Sequence, residues 1–208
     1  MPDQTSPIVF SVLVPALPSR LTRLEKLLAK LSVQAEGKPV EVIALLDNKK
    51  RTVGLKRDAL VQAALGRYVA FVDDDDDVAD DYVDSIIAAA CQTTADVIVF
   101  KQRCTFRNAK SISCLDIDGP PFVIDHDISH EMEAVHQYED GHWRDIKRKP
   151  WHHNAWKSSL AKSVRFPDTS FGEDGAWCSK LWPLVQSQFK IDKVLHYYQF
   201  DGKTTEAS

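Results

Sequence analysis

The stretch Gly66-Arg-Tyr-Val-Ala-Phe-Val-Asp-Asp-Asp-Asp-Asp77 decides the fold of this 208-residue chain. An apolar, β-prone run over 68–72 leads without a break into five consecutive aspartates. Such a run is typical of a buried strand in a parallel sheet. Adjacent carboxylates repel one another and are costly to bury unpaired, so they must meet a positive partner where the strand ends.

The same alternation of strand and helix extends on both sides of this stretch. The predicted strands are 8–14, 40–46 and 96–101, and the predicted helices are Ser19 onward, 55–64 and about 80–91. This order predicts an α/β fold with a mostly parallel sheet flanked by helices. Ligands bind beyond the carboxyl ends of such strands, so Asp47 and the aspartates of 73–77 are expected on one rim.

The second half of the chain is less regular. The stretch of about 103–149 is polar and broken by Gly119-Pro-Pro121, and is predicted to form a smaller subregion with short strands. The elements predicted after it are a helix over 151–163, a helix over about 173–188 and a strand over 191–200. We expect one domain over 1–208, with a first half of about 8–101 and a second of about 102–200.

Charge and the character of the N-terminus limit the function classes. The formal net charge is −4, which argues against a chain coated by nucleic acid. The N-terminus has no basic, apolar signal sequence, no apolar stretch is long enough to span a bilayer, and the cysteines lack CxxC spacing. A cytoplasmic protein without membrane spans is expected.

The aspartate run indicates a metal site. A hard divalent cation takes oxygen ligands, and the EF-hand pattern is absent because no glycine and no closing glutamate stand at the required positions. Mg²⁺ or Mn²⁺ holding a nucleotide diphosphate fits this pattern best. A solvated acidic loop is the alternative.

Several segments, in order along most of the chain, match one known family. They are Phe10–Pro15, Val40–Asp47, Gly54–Arg57, Gly66–Asp76, Ala79–Val83, Trp156–Leu160, Phe166-Pro167, Gly172–Trp177 and Val194–Tyr198. Together they resemble the family 2 glycosyltransferases, which have a GT-A fold with a nucleotide-sugar half and an acceptor half. The resemblance leaves out about 103–149.

The resemblance implies roles for individual residues. The nucleotide contacts would be Pro15, Ala16, Asp47, Lys56, Arg57 and Asp73. Asp73 and Asp75 would form the Asp-x-Asp motif, with Asp75 the direct ligand of Mn²⁺ or Mg²⁺, although the register stays open by one residue. His196 would return to the metal or the diphosphate. Asp174 would be the general base, with Glu173 the weaker candidate.

The chemistry of sugar transfer agrees with these roles. A nucleoside diphosphate leaving group needs its charge neutralised, and the attacking hydroxyl needs a proton acceptor. Two departures from the family pattern matter. The Gln-x-x-Arg-Trp motif of processive synthases is absent, which favours one sugar per encounter. Asp47 is followed by Asn-Lys-Lys instead of the usual residues, so the nucleobase stays open, with a UDP-sugar the favoured donor.

A basic segment in the second half is the predicted binding surface for the acceptor. Between His142 and Arg165, three tryptophans are interleaved with seven Lys or Arg residues and one acid. Aromatic faces stack on sugars or bases while cations bind phosphates. The predicted acceptor contacts are Trp151, Trp156 and Lys149. An anionic acceptor, such as modified phage-type DNA or a cell-surface glycan, fits this segment, and a helix whose cations face water is the alternative.

Other interpretations stay open at this point. A nucleotidyltransferase on a similar fold would carry a glycine-rich loop after the first strand, but residues 16–20 contain no glycine. A non-catalytic nucleotide- or carbohydrate-binding module would not need Glu173-Asp174. Asp174 could also be an acid that only stabilises the first turn of a helix. His152 and His153, adjacent on a predicted helix, would point about 100° apart and would not chelate one ion together.

Overall fold

The computed structural model describes residues 8–107, 121–131, 134–137 and 143–202. The strands are β1 Phe10–Ala16, β2 Val40–Leu46, β3 Tyr68–Phe71, β4 Asp77–Val78, β5 Val97–Arg107, β6 Phe122–His126, β7 Ala134–Gln137, β8 Trp143–Arg148, β9 Ala155–Lys157 and β10 Gln188–Asp201. The helices are α1 Leu21–Ala35, α2 Val53–Ala63, α3 Tyr82–Gln92, α4 Ser158–Ala161 and α5 Glu173–Leu181, with 3₁₀ turns at Pro18–Arg20 and Trp182–Leu184.

One mixed sheet organises the described chain. Its strands follow the order β2-β1-β3-β9-β5-β6-β8-β7, and β10 pairs with both β4 and β5. β1 runs parallel to β2 and to β3, and β5 runs parallel to β10. The prediction of an α/β fold with a mostly parallel central sheet flanked by helices is therefore confirmed.

The two faces of the sheet carry separate apolar cores. Side chains alternate across a strand, so Val12 and Val14 of β1 pack with α1 and α3 while Leu13 faces the other side. That other side contains Leu60 of α2 and Trp177 of α5. In folds with helices on both faces of the sheet, ligands bind at the carboxyl edge, and the candidate site residues lie at this edge.

The predicted helix over 151–163 is wrong. Residues 155–157 form β9, which runs antiparallel between β3 and β5, and only the single turn of α4 is helical. The backbone of Trp156 pairs with Val69 on one side and Val97 on the other, and these long-range hydrogen bonds override the helical spacing of the segment.

Other boundaries differ by less. The helix predicted over 173–188 ends at Leu181, because Pro183 has no backbone N–H with which to continue it, and a 3₁₀ turn over Trp182–Leu184 follows. β5 and β10 are longer than predicted because they pair with each other along almost their whole length.

Much of the predicted subregion of about 103–149 lies outside the described residues. Within the described part of the chain, no helix is both long and apolar enough to cross a bilayer.

Candidate active site

The residues predicted to contact the nucleotide lie at the ends of three parallel strands, on one edge of the sheet. β2, β1 and β3 end just before Asp47, Leu17 and the aspartate run, respectively. The observed sheet therefore places Asp47 and the aspartate run on the same rim, as expected. Pro15 and Ala16 are the last residues of β1, and both are buried.

Two of the five aspartates, Asp74 and Asp77, make structural contacts with other parts of the chain. Asp74 is 2% exposed and accepts hydrogen bonds from the backbone of Leu17 at 2.7 Å and from Arg20 Nη1 at 2.8 Å. These bonds fasten the loop after β1 to the loop after β3. The Asp77 carboxylate accepts a hydrogen bond from the backbone N–H of Val78 at 2.8 Å and forms an ion pair with Lys30.

Asp75 carries more negative charge than its surroundings neutralise. Its cationic partner, Arg20 Nη1, lies 3.2 Å away and is shared with Asp74. Burial raises the pKa of Asp75 to about 6 against the attraction of Arg20, and the nearby Asp73 and Asp74 add to the rise. A cation at this position would remove that penalty.

Lys56 joins the ends of β1 and β2. Its Nζ donates to the carbonyl of Ala16 at 2.8 Å and lies 2.8 Å from Asp47 Oδ1, and the residue is 2% exposed. The structure thus brings together Ala16, Asp47 and Lys56, three of the residues predicted to contact the nucleotide. Lys56 reaches this corner from α2, whose start is capped by the Thr52 hydroxyl.

Arg57 connects the loop after β3 to the first turn of α5. Its Nη2 donates to Asp73 Oδ2 at 2.9 Å and its Nε donates to Glu173 Oε1 at 3.2 Å. The guanidinium lies over the Phe71 ring, 5.0 Å from its centroid, and is buried. Burial would lower the pKa of Arg57, but Asp73 and Glu173 raise it, and Arg57 in turn holds the pKa of Asp73 below its usual range in spite of burial.

Asp174 lies at the first turn of α5 with both oxygens engaged. Its Oδ1 accepts from the backbone of Gly175 at 2.7 Å, and its Oδ2 accepts from Trp151 Nε1 at 2.9 Å. His152 Nδ1 lies 3.3 Å from the same Oδ2. Burial opposes ionisation, but His152, the charge of Arg57 and the Gly175 backbone N–H together outweigh it and hold the pKa of Asp174 well below its usual range. The predicted position of Asp174 in a helix first turn is therefore correct.

Glycines allow α2 and α5 to approach the site closely. A Cβ on Gly54 would lie 1.9 Å from the carbonyl oxygen of Pro167, so no side chain fits where α2 meets the segment that leads to α5. Gly172 precedes α5 with φ of +71°, a conformation that favours glycine. A Cβ on Gly175 would lie 3.3 Å from the Trp151 ring, so this glycine lets Trp151 reach Asp174.

A buried row of histidines lies beneath the aspartates. The Gln102 amide donates to Nδ1 of His196 at 3.2 Å and to Nδ1 of His153 at 3.4 Å. His153 Nε2 is 3.1 Å from His126 Nε2, and His196 Nε2 is 3.5 Å from Asp76 Oδ2. Burial lowers the pKa of His126 and of His196 to about 3, so both are neutral at pH 7. His196 thus lies next to the aspartate run and faces Asp76.

The predicted acceptor residues separate into two environments. Trp156 is fully buried, packs against Trp177 with ring centroids 5.6 Å apart, and has no face available to an acceptor. The prediction for Trp156 is therefore corrected: it is a core residue, because β9 lies in the middle of the sheet. Trp151 is half-buried beside Asp174, and Lys149 Nζ lies 5.9 Å from the Trp182 ring centroid.

Sequence reasoning missed His152 as a site residue. The helix predicted from Trp151 placed the ring on a polar face, whereas the observed turn directs Nδ1 at Asp174. Arg20, which pairs with Asp74 and Asp75, was also missed. Both contacts join residues that are at least 20 positions apart, so no local pattern indicates them.

The described carboxylates could supply part of a metal's coordination shell. Within the described ranges, no three His, Cys, Asp or Glu side chains are grouped to hold an ion by themselves. Mg²⁺ is typically bound through one or two carboxylates with substrate phosphates completing the shell. Asp73 and Asp75 fit that donor set, and the unneutralised charge at Asp75 fits a cation there.

The mostly parallel sheet with helices on both faces matches the GT-A, Rossmann-like fold. Solved structures of S. aureus TarS have this fold. TarS 1-349 in complex with UDP-GlcNAc matches with a TM-score of 0.60 and 17% identity over 92% of this chain. TarS 1-349 in complex with UDP matches with a TM-score of 0.58 and 18% identity over the same share.

The similarity covers only part of TarS. The chain spans 58% of the TarS 1-349 structure with UDP-GlcNAc and 36% of the longer TarS structure, which it matches with a TM-score of 0.58 and 17% identity. No protein-family model and no curated protein matches the sequence. At this identity the similarity establishes the fold.

Proposed function

We propose that the chain is a metal-dependent, non-processive inverting glycosyltransferase. It would transfer a sugar from a nucleoside diphosphate sugar, with a UDP-sugar favoured, to an acceptor hydroxyl. The observation that carries this proposal is that Arg57 contacts both Asp73, in the loop after β3, and Glu173, the neighbour of Asp174. The binding of UDP and UDP-GlcNAc by TarS, which has the same fold, supports the choice of donor.

The donor would bind along the ends of β1, β2 and β3. Asp47 would receive the nucleoside, and Pro15 and Ala16 would line the nucleobase. Lys56 holds Asp47 in place at 2.8 Å and adds positive charge behind the diphosphate. Arg57 places a second buried cation at the same rim, and its Nη1 has no hydrogen-bond partner among the described residues. A phosphate oxygen would satisfy this buried donor.

Asp75 and Asp73 would hold Mn²⁺ or Mg²⁺ together with the diphosphate. When bound, the metal neutralises charge that develops on the leaving diphosphate. The carboxylate of Asp75 is the better direct ligand, because Arg57 already holds Oδ2 of Asp73, and Asp73 would contribute only Oδ1, which has no hydrogen-bond partner among the described residues. His196 would support the site through Asp76, which its Nε2 faces at 3.5 Å.

The acceptor would approach from the side of α5 and Trp151. Asp174 is ionised there, and it is the carboxylate on which removal of the acceptor proton depends. Trp151 and Lys149 would contact the acceptor, for which an anionic glycan or modified DNA fits the surrounding basic residues. Glu173 is tied to Arg57 and 6% exposed, so it is less suited to accept a proton.

A nucleotide panel tests the proposal. Thermal shifts would be measured with UDP, GDP, dTDP and UTP, each with and without Mn²⁺, followed by hydrolysis of UDP-, GDP- and dTDP-sugars. We expect stabilisation by a diphosphate that requires Mn²⁺, and slow hydrolysis of the matching sugar. A preference for the triphosphate would indicate a nucleotidyltransferase. Metal-dependent binding without hydrolysis or transfer would indicate a non-catalytic module.

A further inference from the structure

The contact between His152 and Asp174 points to a more specific division of labour. We propose that His152 takes the proton from the attacking hydroxyl through Nε2, and that Asp174 orients and stabilises the histidine. This inference rests on the proposed glycosyl transfer and refines its acceptor side. It changes the role of Asp174 from proton acceptor to positioning residue.

The first observation is that Asp174 has little capacity left to accept a proton. Oδ1 is occupied by the Gly175 backbone at 2.7 Å, and Oδ2 receives Trp151 Nε1 at 2.9 Å. The third contact is His152 Nδ1 at 3.3 Å. Hydrogen bonds to the ionised form favour that form, so this carboxylate is a weak base. It is well suited to hold a neighbouring imidazole.

The second observation is the orientation of His152. Nδ1 and Nε2 lie on opposite sides of the imidazole, so a ring that turns Nδ1 toward Asp174 presents Nε2 away from it. The carbonyl of His152 accepts from the Phe71 backbone at 3.4 Å, and its ring meets the Phe71 ring edge-on with centroids 6.1 Å apart. The ring is thereby fixed to the end of β3, and its side chain keeps 12% of its exposure.

The third observation is that His152 lies between the donor and acceptor parts of the site. Asp174 at the start of α5 lies 3.3 Å from its Nδ1, the Phe71 ring at the end of β3 meets its ring edge-on, and the ring of His153 lies 5.6 Å away. A base in this position can reach a hydroxyl that attacks a donor held at Asp73 and Asp75.

The proposed step balances as follows. The hydroxyl O–H bond breaks and its proton moves to His152 Nε2. The hydroxyl oxygen forms a bond to the anomeric carbon of the sugar, and the bond from that carbon to the diphosphate oxygen breaks with its electron pair. The resulting imidazolium donates from Nδ1 to Asp174, whose negative charge stabilises it. A histidine oriented by a carboxylate is an established arrangement for activating hydroxyl groups.

The test replaces His152 by asparagine and follows hydrolysis of UDP-GlcNAc in Mn²⁺, with water in place of the acceptor. If the parental protein does not hydrolyse UDP-GlcNAc, the fastest UDP-, GDP- or dTDP-sugar of the panel is used. The asparagine amide can still donate to Asp174, but it has no basic nitrogen. We expect hydrolysis to fall by about 10² to 10⁴-fold, while UDP affinity in Mn²⁺ stays within about twofold. His130→Asn, a histidine outside the site, should keep the parental rate.

One further measurement separates a base from a structural role. In His152→Gly, added imidazole should restore part of the lost rate, because it can replace the missing base. Parental hydrolysis by His152→Asn, or no rescue of His152→Gly, would overturn the histidine base and return the role to Asp174. Absence of parental hydrolysis with every sugar would instead overturn the proposed function.

Discussion

Arg57 Nε donates to Glu173 Oε1 over 3.2 Å and so joins two helices whose residues are 116 positions apart in the chain. The same guanidinium holds Asp73 at 2.9 Å. The loop after β3 and the first turn of α5 are therefore held together by one buried cation. Any change at Arg57 should affect both the stability of the fold and the geometry of the site.

Arg57→Met should lower the free energy of unfolding by about 3 to 5 kcal/mol, because it leaves Asp73 and Glu173 close together without their cation. Denaturation in urea measures this loss. Lys193→Met is the matched control, since Lys193 pairs with Asp81 at the surface, and it should cost less than about 1 kcal/mol. Equal losses for the two variants would show that the buried pairing adds no stability.

Asp75→Asn should abolish Mn²⁺-dependent binding of UDP and stabilise the protein without metal. The raised pKa of Asp75 means that its ionisation opposes folding: the opposition begins near the usual pKa of 3.8 and is complete above about pH 6. At pH 7 the gain should be about 1 to 3 kcal/mol. Calorimetry with UDP and thermal unfolding measure the two effects.

The control for this change is Asp80→Asn. The Asp80 side chain is 96% exposed, so its replacement should alter neither UDP binding nor stability appreciably. Unchanged UDP affinity in Mn²⁺ for both Asp73→Asn and Asp75→Asn would contradict the metal site.

Asp174→Asn should reduce sugar transfer by about 10² to 10⁴-fold and leave UDP affinity within about twofold. The side chain keeps its shape but loses the charge that either accepts the proton or stabilises His152. Initial rates across pH 6 to 9 measure the effect. Glu173→Gln should reduce transfer less, because Glu173 is engaged with Arg57. A parental rate in Asp174→Asn would place proton transfer elsewhere.

Replacement of Lys147 and Lys149 by glutamine should raise the KM for an anionic acceptor and leave donor hydrolysis unchanged. Arg148 is kept, because its guanidinium lies 3.5 Å from the Trp151 ring centroid and its removal would disturb Trp151 beside Asp174. For a nucleic-acid acceptor, the salt dependence of binding should flatten by about one unit for each phosphate that the variant no longer binds. Binding that is insensitive to salt and to both changes would mean that these lysines only face water.

The buried histidines should make the protein less stable in mild acid. The lowered pKa values of His126 and His196 mean that the unfolded chain binds protons first, so stability is lost as the pH falls below about 6.5. Each histidine that stays neutral costs about 2 kcal/mol by pH 5. Melting temperatures from pH 8 to 5 measure the slope, which should be shallower in His126→Gln. An unchanged slope in that variant would mean that His126 is not held neutral by burial.

Local sequence patterns were sufficient for most of the first half. The alternation of β-prone runs with helical spacing predicts β1, β2, β3 and the helices between them, because each element repeats its own apolar period. Parallel strands share one carboxyl edge, so the same patterns also predict that Asp47 and the aspartate run meet. These features depend on residues close together in the chain.

The remaining features depend on contacts between distant residues, which no local pattern encodes. β9 exists because β3 and β5 offer hydrogen bonds on both sides of residues 155–157, and this pairing outweighs the helical preference of the segment. It also buries Trp156, which the sequence indicates only as one of several aromatic residues near lysines. The partners of the five aspartates likewise differ because separate elements reach each one. His152 faces Asp174 only because the turn before β9 and the first turn of α5 are packed together.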